Sequence, residues 1–144
     1  MLAENTVLTG RRAITRSYAK INLTLDVLSK RENGYHDIKM IMQTVSLFDL
    51  ILVDKTHRGI SISTNLPCNE KNIAYKAADA FFKATGIRGG AKIVIHKNIP
   101  VAAGLAGGSG NCAAVLTAMN MLHGNPLSND ELMHIGASLG EDVP

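Results

Sequence analysis

Polar and hydrophobic residues alternate from Tyr18 to Leu28. Ile21, Leu23, Leu25 and Val27 fall between Lys20, Asn22, Thr24 and Asp26. A period of two predicts a half-buried strand, with Lys20 and Asn22 side by side on its polar face. Glu32-Asn33-Gly34 then supplies a turn. A second strand pattern covers about Ile38 to Leu47 and a third about Leu50 to Asp54. His57-Arg58-Gly59 turns the chain into a fourth, Ile60 to Thr64. After a loop through Pro67 the period becomes helical. Asn72 is placed to cap a helix through Ala84, with Ile73, Ala77, Phe81 and Ala84 on one face and Gly86 at its end. Arg88-Gly89-Gly90 reads as a loop and Lys92 to His96 as a short strand. A second helix is predicted from about Ser109 to Leu122, stopped by Gly124. The third opens at Ser128 with Glu131 three residues on, a capping-box pattern, and ends at Gly140. Residues 1–15 show no period and read as a loose lead-in to a domain over residues 16–144. Strands come first and helices cluster later, which predicts an α+β fold.

Composition narrows the function classes. The chain has 144 residues, the usual size of one domain, with 46% hydrophobic and 19% charged residues. The net charge of +3 is mild, and Arg11, Arg12 and Arg16 supply part of it. Aromatics are only 4%, with no Trp, which argues against a protein that reads single-stranded nucleic acid by stacking. Cys68 and Cys112 form no zinc or redox spacing. No apolar run approaches the roughly 18 residues of a membrane-spanning helix, and Met1 to Arg12 lacks a signal-peptide core. A cytoplasmic protein is expected, with no nucleic acid and no membrane as partner. The stop at Pro144, directly after a helix and an acidic turn, reads as a cut inside a larger protein.

The chemistry concentrates in Pro100-Val101-Ala102-Ala103-Gly104-Leu105-Ala106-Gly107-Gly108-Ser109-Gly110-Asn111. Between Ala102 and Gly110 only Leu105 is large. Small residues admit a ligand close to the backbone, and the free N–H groups of the following helix favour an anion. Strand, small-residue loop and helix together suggest a phosphate site. No Gly-Lys-Ser/Thr closes the loop, and its glycines do not follow G-x-G-x-x-G. The same composition would serve a flexible loop entering a tightly packed helix. Lys20 and Asn22 fit either a site or a solvated face. Tyr35-His36 fits either a recognition pair or a surface pair beside a hairpin. Asp142 lies just past the Gly140 stop, where a solvated turn is the alternative. His57, His96, His123 and His134 have no partner in view, and Cys112 reads as packing.

Three segments together resemble the GHMP small-molecule kinases. They are Ala19-Lys20-Ile21-Asn22-Leu23 through Arg31, Gly34, Tyr35 and His36; the loop Pro100 to Asn111; and Leu139 to Pro144. The resemblance spans residues 16–144. It is strongest to the branch of non-mevalonate isoprenoid synthesis that phosphorylates an alcohol, cytidyl diphosphate methylerythritol. It implies a ribosomal-protein-S5-like α+β domain, a mixed sheet with helices packed on it, and a second, C-terminal domain that packs on this one. It implies ATP with Mg²⁺ as cofactors, and no metal ligand of the protein's own. Asp142 would be the catalytic base and Lys20 its paired lysine. Asn22 would contact substrate, and Tyr35 and His36 would receive the cytosine. Asn72 and Lys97 would lie near the adenine, with residues Pro100 to Gly110 around the ATP phosphates. Gly110 departs from the family in lacking a hydroxyl, and Asn111 stands where an acid is common. Other readings are a homoserine- or mevalonate-type kinase, or an RNA-binding module of the same fold.

Overall fold

The computed structural model describes residues 3–30, 32–140 and 143. Five strands form one sheet: β1 (Thr6–Thr9), β2 (Arg12–Lys30), β3 (His36–Thr56), β4 (Gly59–Thr64) and β5 (Gly90–His96), in the order β1-β2-β3-β5-β4. Neighbours are antiparallel except β4 and β5, which run parallel. Three helices, α1 (Ile73–Thr85), α2 (Gly107–Leu122) and α3 (Asn129–Leu139), complete the predicted α+β fold.

The core lies between the sheet and the helices. Ile51 and Val53 of β3 stand opposite Ile95 and Ile93 of β5, and all four are buried. Phe81 and three alanines of α1 close over them. In α2, Cys112, Ala114, Val115, Leu116, Ala118 and Met119 are all buried, so this helix is enclosed on several sides. Burial pushes the Cys112 thiol up to about 12, so it packs as an inert apolar group.

The predicted caps form. Asn72 Oδ1 accepts from Ala74 N at 2.9 Å, and left-handed Gly86 donates to Phe82 O at 2.9 Å. Ser128 N donates to Glu131 Oε2 at 2.8 Å, and Glu131 N returns a bond to Ser128 Oγ at 3.3 Å. Each cap satisfies helix-end groups that would otherwise lack partners.

Four expectations need correction. The lead-in is structured: residues 6–9 and 12–15 belong to the sheet, and Thr6 Oγ1 donates to buried Thr15 Oγ1 at 2.9 Å. The inward residues here are Ala13, Thr15, Ser17 and Ala19, small side chains that carry no hydrophobic period. The second and third strand patterns are one continuous strand, β3. Gly90 is no loop residue but opens β5 between β3 and β4. A Cβ there would lie 2.3 Å from Gly59 O, so only glycine allows this strand contact. Finally, the alternating segment after Ala19 is not half-buried. With residues 36–44 of β3 it forms a ribbon beyond the helices, and Leu23, Leu25 and Val27 are more than half exposed.

Candidate functional site

After β5, Lys97-Asn98-Ile99 carries the chain to the loop over residues 100–106, which opens directly into α2. Ala102 and Ala106 hold left-handed backbone, φ 58° and 56°, where a side chain is strained. Ala106 is the N-cap of α2 and makes no side-chain bond to it, whereas α1 and α3 are both capped. The first N–H groups of α2 and its positive dipole end therefore lack an internal acceptor.

Lys20 reaches this loop through an irregularity in the sheet. Tyr18 pairs with Phe48, and the next pair is Lys20 with Thr44, so the register jumps around Ala19. Such a bulge re-aims side chains. The Lys20 N–H donates to Leu105 O at 3.2 Å, tying β2 to the loop, and its ammonium donates to Asn22 Oδ1 at 3.3 Å. Lys97 pairs with the carboxylate of Asp49. Asn65 holds the Lys97 backbone from both sides: Lys97 N donates to Asn65 Oδ1 at 2.7 Å, and Asn65 Nδ2 donates to Lys97 O at 3.1 Å.

Together these elements enclose a cleft of about 430 Å³. Lys20, Asn72, Lys97, residues 100–109 and Asn111 line it. Among the described residues no carboxylate lines it, so the Lys20 ammonium and a helix amino end give it a positive field, while the charge of Lys97 is paired with Asp49. Asn111 is 3% exposed, and its Oδ1 has no hydrogen-bond partner. An orphaned acceptor at a cleft wall calls for a donor from a ligand or its water. Among the described residues, no three His, Cys, Asp or Glu side chains group to hold a metal ion.

The structure thus gathers Lys20, Asn72, Lys97 and Pro100 to Ser109 in one place. Gly110 stands apart from the rest of the loop. It turns toward β2 and does not line the cleft; a Cβ on it would come within 2.6 Å of Ser17 Oγ. Asn22 is exposed beside Lys20. Tyr35 and His36 sit outside the cleft, at the tip of the ribbon. There Tyr35 N donates to Asn33 Oδ1 at 3.2 Å, and Tyr35 is 61% exposed. Ten residues of β2 separate Lys20 from Lys30, the partner of His36, or roughly 30 Å of strand. Asp142 lies outside the described residues. Val143, the next described residue, is 5% exposed in the core and donates its N–H to Gly140 O at 3.2 Å. Asp49 and Asn65 escaped the sequence reading, which placed Asn111 in the loop motif without a contact of its own. A lone acid inside the apolar run Leu47 to Leu52 was the available signal for the first.

A small-residue loop, an uncapped helix and two lysines thus meet at one edge of a mixed sheet with helices packed on it. Residues 72–144 match the family model described as the GHMP kinases N terminal domain, and the chain belongs to that family. The similarity extends to particular members. The chain is 52% identical over 135 residues to a 4-diphosphocytidyl-2-C-methyl-D-erythritol kinase of Caldicellulosiruptor saccharolyticus, covering 91% of this chain and 47% of that protein. It is 49% identical over 134 residues to the enzyme of the same name from Clostridium kluyveri, covering 91% and 48%. A crystal structure of 4-(cytidine 5'-diphospho)-2C-methyl-D-erythritol kinase superposes with a TM-score of 0.83 at 36% identity, over 91% of this chain and 47% of that one. The chain spans about half the length of the curated relatives it matches. Among the described residues, no helix is long and apolar enough to cross a membrane.

Proposed function

We propose that this chain is the nucleotide-binding part of a cytoplasmic kinase that uses ATP to phosphorylate the 2-hydroxyl of 4-diphosphocytidyl-2-C-methyl-D-erythritol. The observation that carries the reading is the cleft itself. Uncapped α2 and the Lys20 and Lys97 ammonium groups, with no carboxylate among the described lining residues, suit a polyphosphate. The orphaned Asn111 acceptor suits the hydrated Mg²⁺ that a nucleotide carries. The relatives' names support this substrate.

Bound ATP with Mg²⁺ supplies the phosphoryl group and part of the charge neutralisation. The protein's share is positioning and electrostatics. The loop and the first turn of α2 hold phosphate oxygens through backbone N–H groups. Asn72 borders the same cleft on the nucleoside side, and the Lys97 ammonium reaches the amino end of α2. Asp142 accepts the proton of the substrate hydroxyl at its carboxylate, and the Lys20 ammonium favours that carboxylate's ionised form. Asn22 orients the alcohol, while Tyr35 and His36 receive the cytosine. The exposed ribbon, with its apolar side chains, offers a face for the C-terminal domain that a chain of the relatives' length carries.

Asp142→Asn and Lys20→Met in the full-length protein test the reaction. Asp142→Asn lowers kcat by about 10²–10⁴ with ATP affinity retained, the usual loss for a general base. Lys20→Met lowers kcat and moves the acid limb of the rate profile to higher pH. Equal kcat in wild type and Asp142→Asn removes Asp142 from the mechanism.

A further inference from the structure

Asp49 is the one carboxylate that is fully buried among the described residues, at 0% exposure. Burying a carboxylate is costly unless both its oxygens are paired. Here the two oxygens have different partners. Oδ1 accepts from Asn98 N at 2.7 Å and from Ile99 N at 2.8 Å, while Oδ2 takes the Lys97 ammonium. All three partners are consecutive residues, in the segment that joins β5 to the small-residue loop. Asn98 Nδ2 also donates to Phe48 O at 3.0 Å, beside Asp49 on the same strand.

The position of Lys97 makes this pairing informative. Its Nζ lies 3.3 Å from where a Cβ on Gly107 would stand, at the first residue of α2. That end of the helix is itself positive. An ammonium there is repelled by the helix and would gain by swinging into water. The buried carboxylate opposes both tendencies.

We propose that Asp49 is a positioning residue for nucleotide binding. Through Oδ2 it keeps the Lys97 ammonium at the amino end of α2, and through Oδ1 it fixes the backbone from which the phosphate loop starts. The inference rests on the reading of the cleft as a nucleotide site. It goes further by assigning the cleft's preorganisation to a residue that does not line it. Loop and ammonium are set before ligand arrives, which lowers the ordering cost of binding.

The two oxygens allow the two tasks to be separated. In Asp49→Asn the amide oxygen keeps both backbone bonds, while the NH₂ group presents donors to the ammonium. The loop base stays, and Lys97 is released. In the full-length protein, calorimetry with a non-hydrolysable ATP analogue should show affinity about tenfold weaker for Asp49→Asn, the scale of one charge-assisted bond. Lys97→Met should lose a similar factor. The double variant should bind no more weakly than the worse single one, because Asp49 acts through Lys97. KM for ATP should rise with kcat nearly unchanged. Unaltered affinity in Asp49→Asn, or losses that multiply in the double variant, overturns the proposal. If Asp49→Asn fails to fold, the double variant is compared with Lys97→Met, since no ammonium then faces the amide: equal affinity supports the proposal and a further loss overturns it. Wild type that binds no ATP analogue overturns the nucleotide reading as well, whereas wild type that binds it beside an unimpaired Asp49→Asn overturns only the role of Asp49.

Discussion

Gly107 and Gly108 look interchangeable in the sequence, and the structure separates them. A Cβ on Gly107 would stand 3.0 Å from Ile99 Cγ2 and 3.3 Å from Lys97 Nζ. Ile99 is 2% exposed and has nowhere to retreat. A Cβ on Gly108 would meet only Ile73 Cγ2, at 3.9 Å, in ordinary contact. Gly107→Ala should therefore cost about 1–3 kcal/mol through overpacking. Gly108→Ala should be neutral or stabilise by up to about 1 kcal/mol, since alanine favours helix. Urea unfolding midpoints decide it, and a lower midpoint for Gly108→Ala than for Gly107→Ala refutes this packing. The same contrast marks what was readable in the site. The loop stood out because its signal is local, whereas Lys20 fitted a site or a solvated face equally and Asn72 and Lys97 entered the site only through the family resemblance. Asp49 and Asn65 act on Lys97 across 48 and 32 residues, and no periodicity reports such a pairing. Gly110 shows that a small residue signals close approach without naming the partner, which here is Ser17 on β2.

Among the elements, α1 and α3 were legible because their ends carry chemistry: Asn72 and Gly86 for the first, Ser128 with Glu131 for the second. The contact between α1 and the end of α2 was not, since His123 offers no pattern. Its ring lies 5.4 Å from Phe81 and 5.8 Å from Phe82, and its Nε2 is buried without a partner. Burial, and then the charge of Lys55, hold the His123 imidazole below its ordinary value of 6.5. Folding thus disfavours the protonated form, and near that pH the unfolded chain binds more protons. The His123 contribution is complete above 6.5 and is lost as pH falls through 6.5 toward the lower folded value. Asp54, held below its usual 3.8 mainly by the hydrogen bond from Arg12, loses its contribution only at more acid pH, so the two windows separate. The melting temperature should fall between about pH 7.5 and 5.5, and His123→Leu should flatten that slope. An equal slope in both proteins rules out His123 as the source.

At the scale of the whole molecule, the ribbon of β2 and β3 is what the body of the domain leaves uncovered. Among the described residues sixteen large hydrophobic side chains are exposed, and eleven of them lie between Ile21 and Leu47. A two-stranded ribbon is marginal by itself, and soluble monomers rarely expose so continuous an apolar surface. The period of two along Ile21 to Val27 was legible, but a period states only that two faces differ. Which face is covered depends on what packs there, and the helices pack only against the sheet below Ala19. The relatives, about twice as long, have further chain to lay on such a ribbon. A polypeptide of residues 1–144 should therefore self-associate through this arm, with sedimentation that depends on concentration. Leu25 and Met40 are cross-strand partners, 51% and 38% exposed. Replacing them as Leu25→Glu with Met40→Lys keeps a favourable cross-strand pair while removing apolar surface. That double variant should sediment as a monomer. In the full-length protein, backbone amides of residues 21–28 should exchange with solvent more slowly than in the 144-residue chain, because the covered ribbon opens less often. A 144-residue chain that stays monomeric at every concentration, with equally fast exchange at both lengths, would mean that the ribbon is a free-standing arm and that its apolar residues serve the substrate alone.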